Sequence, residues 1–83
     1  MNPLIILMGK MIDNGYNVSL RHEGTILFVF AKGRAIANIA CWKGRYECRD
    51  AKIIGIKDHK EFLSRFDKWY YSMMSVWQSG EDK

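Results

Sequence analysis

Residues 25–48 read TILFVFAKGRAIANIACWKGRYEC, and the tripeptide Lys-Gly-Arg occurs in them twice, at 32–34 and 43–45. Each copy joins two runs rich in β-branched and aromatic residues. That is the pattern of a strand meander with tight, cationic hairpin turns. Gly33-Arg34 and Gly44-Arg45 each fit a two-residue turn with Gly first, the type II′ arrangement. With the turns so placed, Ala31 faces Ile36 and Cys41 faces Cys48.

Working outward, Tyr16 to Arg21 alternates apolar and polar, with Tyr16, Val18 and Leu20 on one face. It predicts a half-buried strand, closed by a turn at Glu23-Gly24. Thr25 to Ala31 is apolar on both faces, so it predicts a central strand, either covered on both sides or carrying a sticky outer face. Ala35 to Trp42 and Tyr46 to about Asp50 follow as the third and fourth strands. Ala51 to Lys57 continues the last strand, bulges, or adds a short fifth one; Gly55 leaves these alternatives open.

Helices bracket the strands. Asn2-Pro3 is a capping residue followed by a proline suited to the first helical position. Leu4 to Ile12 is apolar nearly all round, and Gly15 is a left-handed stop. Asp58, with Glu61 three residues on, resembles a capping box. Behind it Phe62, Phe66, Trp69, Tyr70, Met73, Val76 and Trp77 recur every three or four residues, predicting an amphipathic helix to about Gln78. The expected fold class is α+β. It is an antiparallel four-stranded meander flanked by an N-terminal and a C-terminal helix, α-β-β-β-β-α, with residues 1–78 as one domain and 79–83 as a solvated tail.

Register divides the sheet residues. One face is expected to carry Tyr16, Val18, Leu20, Leu27, Val29, Ile36, Ala40 and Trp42. The other is expected to carry Ile26, Phe28, Phe30, Ile39, Cys41, Tyr46 and Cys48. Either one helix covers each face, or both helices share one face and the second face meets a partner. A one-residue error in register would exchange the sets.

The chain has 83 residues and a formal charge of +4. Residues 32–60 hold eight Lys/Arg against three acids, so the excess is concentrated there. Such a patch suits phosphate or an acidic protein surface, and it also aids solubility. No stretch approaches the roughly 20 apolar residues of a membrane span. Two cysteines with no secretory pattern point to free thiols and a cytoplasmic setting. Cys41 and Cys48 are placed for a cross-strand bridge only if the register holds.

No catalytic constellation is apparent. His22 and His59 have no orienting partner that the sequence can place, and Cys41, Cys48, His22 and His59 lack metal-site spacing. No enzyme activity, cofactor or metal is expected. The order helix, strands, helix resembles the topology of double-stranded RNA-binding domains. The Lys-Lys-x-Ala-Lys opening of their second helix is replaced here by Asp58-His59-Lys60-Glu61, and there is an additional strand.

Two functions fit. The first is sequence-tolerant nucleic-acid binding, RNA ahead of DNA, with Lys32, Arg34, Lys43, Arg45, Arg49 and Lys52 on phosphates. Phe28, Phe30 and Tyr46 would stack bases if their sheet face is open; under a helix they would be plain core. The second is a protein-binding inhibitor or regulator of a larger machine, of the kind found among phage and mobile-element accessory proteins. Its interface would draw on Phe28, Phe30, Trp69, Tyr70, Met73 and Trp77. A chain this short also suits a homodimer.

Overall fold

The computed structural model describes residues 2–81, with side chains to residue 77. Helix α1 (Pro3–Asp13) precedes strands β1 (Asn17–Arg21), β2 (Ile26–Ala31), β3 (Arg34–Trp42), β4 (Arg45–Cys48) and β5 (Ile53–Ile56), and helix α2 (His59–Glu81) follows. The strands form one antiparallel sheet in chain order. The class is α+β as expected, with five strands instead of four. Arg49 and Asp50 leave the fourth strand in a single 3-10 turn, Arg49–Ala51, and Ile53 starts the fifth.

Local chemistry sets the element ends. The Asn2 side chain accepts from the Leu4 N–H at 3.0 Å, and its Nδ2 donates to the Gly24 carbonyl at 2.7 Å. One residue thus caps α1 and ties down the β1–β2 loop. At α2 the Asp58 carboxylate accepts from the Lys60 N–H at 3.0 Å. Glu61 does not complete the capping box: its carboxylate pairs with Arg65 at 3.1 Å, one turn along. Helix α2 runs three residues past the expected end, so the backbone of 79–81 is helical; the rest of the expected tail, 82–83, lies outside the described residues.

The two Lys-Gly-Arg turns are displaced by one residue from the expected position. Their central residues are Lys32-Gly33 (φ 52° and 77°) and Lys43-Gly44 (φ 51° and 75°). Two successive positive φ values define type I′, not II′, and that turn matches the right-handed twist of its strands. Ala31 therefore pairs with Arg34, and Cys41 with Tyr46. Cys41 does not face Cys48, and both thiols are free.

Moving a two-residue turn by one position shifts the pairing by two, which leaves every side chain on its face. The faces are exchanged by something else. A bulge opposes Ile36 to no partner, because Val29 pairs with Ala37 while Phe30 pairs with Ala35. One extra residue inverts the alternation. Ile39, Cys41, Tyr46 and Cys48 consequently share a face with Leu27 and Val29, not with Phe28 and Phe30, and Ala40 and Trp42 move to the face of Phe28.

Both helices pack on that first face. Leu4, Leu7 and Met11 of α1 and Phe62, Leu63 and Phe66 of α2 close over Leu27, Val29, Ala37, Ile39, Tyr46, Cys48 and Ile53 in a single core. Aromatic rings carry much of it: Tyr46 lies 5.5 Å from Phe62, and Phe62 6.0 Å from Phe66, centroid to centroid. Truncating either phenylalanine to alanine would cost about 3–5 kcal/mol. No helix among the described residues is long and apolar enough to cross a membrane.

Candidate nucleic-acid interface

Both helices lie on one side, and among the described residues no element covers the second sheet face. Register builds it in rows across the strands. Arg21, Ile26, Ala40, Glu47 and Ile54 are successive partners from β1 to β5. The next row is Ser19, Phe28 and Asn38, and the one beyond it Asn17, Phe30 and Ala35. Trp42 and Arg45 pair at the opposite end of the sheet. Ile26, Phe28 and Phe30 stand apart from the core cluster. Ile54 and Trp42 are 67% and 71% exposed. An alternating strand normally turns polar residues to water. Here β2 turns two half-buried phenylalanines to that face instead.

The Arg21 guanidinium lies over both rings, 5.4 Å from the Phe28 centroid and 5.2 Å from that of Phe30. The phenylalanines are 6.3 Å apart and tilted by 32°, so they form one stepped aromatic surface. His22 adds a ring 6.0 Å from Phe28. Its backbone belongs to an unusual loop: His22, Glu23 and Gly24 all have positive φ. Two non-glycine residues in the left-handed region hold the loop in a conformation that costs free energy, and the Asn2 bond to Gly24 secures it.

The expected phosphate ligands divide into two groups. Lys43, Arg45 and Arg49 border the uncovered face. The Lys43 ammonium is 5.8 Å from the Trp42 ring, Arg45 donates to the Gly55 carbonyl at 3.2 Å, and Arg49 donates to the Glu47 carboxylate at 2.7 Å. Lys32 and Arg34 lie at the other end of the sheet, on the helix side, 5.0 and 5.1 Å from the Trp77 ring. Lys52 follows the 3-10 turn with φ 58°.

The expected protein-interface residues also separate. Phe28 and Phe30 are on the open face. Trp69 and Tyr70 pack against the core from α2, and Trp77 holds the β2–β3 turn. Tyr46 is no stacking residue: it is buried beneath the helices, and its hydroxyl donates to the Pro3 carbonyl at 3.0 Å. The bulge put it there.

Arg21, Asn38, Trp42 and Glu47 were not singled out from sequence. The signal for Arg21 was present, since it directly opposes Ile26 across the first hairpin and shares the Phe28 side. A groove of about 450 Å³ crosses the face between β2 and the 3-10 turn, lined by Ile26, Asn38, Ile39, Ala40, Glu47, Arg49 and Asp50. Ala40 makes it, as the small residue between Ile26 and Glu47. Asp50 is already engaged, accepting from the Asn38 N–H at 3.0 Å where β4 has ended and left that donor without a strand partner.

Burial pushes the Cys48 thiol up to about 11, and it pushes Cys41 up as well. Neither is disposed to act as a thiolate nucleophile. Among the described residues no three His, Cys, Asp or Glu side chains gather as metal ligands. Compared with known proteins, the chain matches no family model, no curated protein sequence and no solved structure.

Proposed function

We propose that the protein is a small non-enzymatic binder of single-stranded nucleic acid, RNA ahead of DNA, which lays the strand across the uncovered sheet face. The observation that carries the reading is the Phe28–Phe30 pair on that face, with the Arg21 guanidinium over both rings. Stacking of a base on an aromatic ring contributes about 1–3 kcal/mol and tolerates any base. Arg21, Lys43, Arg45 and Arg49 surround the aromatic surface with positive charge for the phosphates. Lys32, Arg34 and Lys52 extend the positive potential beyond it.

The test is fluorescence anisotropy with a labelled ten-nucleotide uridine RNA, its DNA counterpart and a duplex, across a salt series. Binding of the single strands that weakens steeply with salt, and that falls in the F28A/F30A double variant, supports the reading. Absence of single-strand binding at low salt, or a double variant that binds as wild type does, overturns it.

A second reading rests on a different surface. Ile5, Ile6 and Ile12 of α1 and Tyr71 and Val76 of α2 are exposed on the helical side. Apolar residues there suit a protein partner, as in an inhibitor or regulator of a larger assembly, or a second copy of the chain. A complex that survives both nuclease and high salt, and is lost on I5K/I12K substitution, would favour it.

A further inference from the structure

We infer that the groove beside Phe28 seats one base of the bound strand and selects guanine, with Glu47 as the discriminating residue. This rests on the sheet face being the nucleic-acid surface. The groove lies within the row Arg21, Ile26, Ala40, Glu47, Ile54, one row from Phe28 and Asn38. A base stacked on Phe28 is therefore followed by a depression floored by Ala40, with an apolar wall at Ile26 and a polar wall at Glu47 and Arg49. Its volume falls in the range of roughly 300–1,000 Å³ typical of small-ligand sites.

The polar wall has a definite donor and acceptor order. Arg49 Nε donates to Glu47 Oε1 at 2.7 Å, which orients the carboxylate. The Glu47 side chain is 28% exposed and the Arg49 side chain 85%, so the acid is held in the groove while the guanidinium reaches outward. A carboxylate accepts and cannot donate; a guanidinium donates and cannot accept. The matching base edge offers adjacent donors beside an acceptor. Guanine does so, with N1–H and the N2 amine next to O6. Adenine and cytosine offer the carboxylate one amine donor with a ring acceptor beside it, one hydrogen bond where guanine gives two, and uracil flanks its single N–H with two carbonyls. The Asn38 N–H holds the Asp50 Oδ2, so Asp50 adds at most its second oxygen to the same acceptor wall.

The deciding measurement is the affinity of four nine-nucleotide RNAs: all-uridine, and uridine with one central guanine, adenine or cytosine. The guanine strand is expected to bind about tenfold tighter than the other three, as one charge-assisted contact allows. Inosine in its place, lacking the N2 amine, should lose part of that advantage. E47Q should bind all four alike, and so should A40L, which fills the groove. Thermal unfolding confirms that each variant is folded. Equal affinity of wild type for the four strands, or a guanine preference that persists in E47Q, overturns the inference while the stacking surface stands. If the wild type binds none of the four, the sheet-face reading itself fails and this inference with it.

Discussion

The Tyr16 hydroxyl, at the entry to β1, donates to the Asp67 carboxylate in the middle of α2. The Tyr16 ring meets Phe66 at 5.4 Å and Tyr70 at 4.9 Å, both edge to face. One residue therefore joins the first strand to the last helix across 51 positions of sequence. Burial, followed by the bond to Asp67, holds the phenol well above its ordinary value near 10. Y16F keeps the ring contacts and removes the hydrogen bond, so it is expected to destabilise by about 1 kcal/mol at neutral pH in urea unfolding.

The same tyrosine predicts an alkaline limit. The unfolded chain loses the Tyr16 proton near pH 10, while the folded chain retains it. Above pH 10 the unfolded state binds fewer protons, so stability declines as pH rises. Tyr46, also pushed up by burial, adds to the decline. Urea midpoints measured from pH 8 to 11.5 should fall less steeply in Y16F than in wild type. Parallel curves would exclude Tyr16 as a source.

Charge and stacking on the open face should separate experimentally. R21Q removes one cation and should reduce the salt slope of RNA binding by about 0.7, the value for one phosphate on a single strand. F30L removes a stacking ring and no charge, so it should weaken binding by roughly tenfold with the slope unchanged. A salt titration of both variants makes the comparison.

Lys43 occupies a turn position whose φ of 51° suits Asn far better than Lys. K43N is expected to raise stability by about 0.5–1 kcal/mol and to lower affinity for RNA, because it removes a cation at the rim of the open face. A variant both stabler and weaker in binding would mean that the lysine is retained for contact and not for folding. Equal affinity would assign it to solubility alone.

Cys48 is fully buried, with its thiol raised to about 11, whereas Cys41 is partly exposed. An aromatic disulfide reagent at pH 8 should label one cysteine in the native protein and two after unfolding. C41S should abolish the native reaction. Labelling of both thiols at equal rates in the folded state would contradict the packing around Cys48.

The candidate site was legible in part. Lys43 and Arg45 could be read as surface cations from their place in a turn, Arg49 from the basic excess of residues 32–60, and Phe28 and Phe30 as one face of a strand apolar on both sides. What could not be read was which aromatic residues share that face. The bulge at Ile36 sends Tyr46 under the helices and turns Trp42, Ala40 and Glu47 to the face of Phe28. The stretch Arg34-Ala35-Ile36-Ala37 has no glycine or proline to mark it. Lys32 and Arg34 are equally cationic in sequence, yet they lie over Trp77, a residue more than forty positions away.

Sequence by itself determined the helix–meander–helix order, the caps at Asn2 and Asp58, the stop at Gly15 and the presence of a tight turn at each Lys-Gly-Arg copy, though neither the turn type nor the fifth strand. Each of these depends on backbone preferences and hydrogen bonds within a few residues. Only the tertiary structure decided that both helices cover the Leu27–Val29 face and leave the Phe28–Phe30 face uncovered. Both faces are apolar along β2. The choice between them rests on the summed fit of side chains from six or seven separate elements, and a single unpaired residue in β3 is enough to tip it.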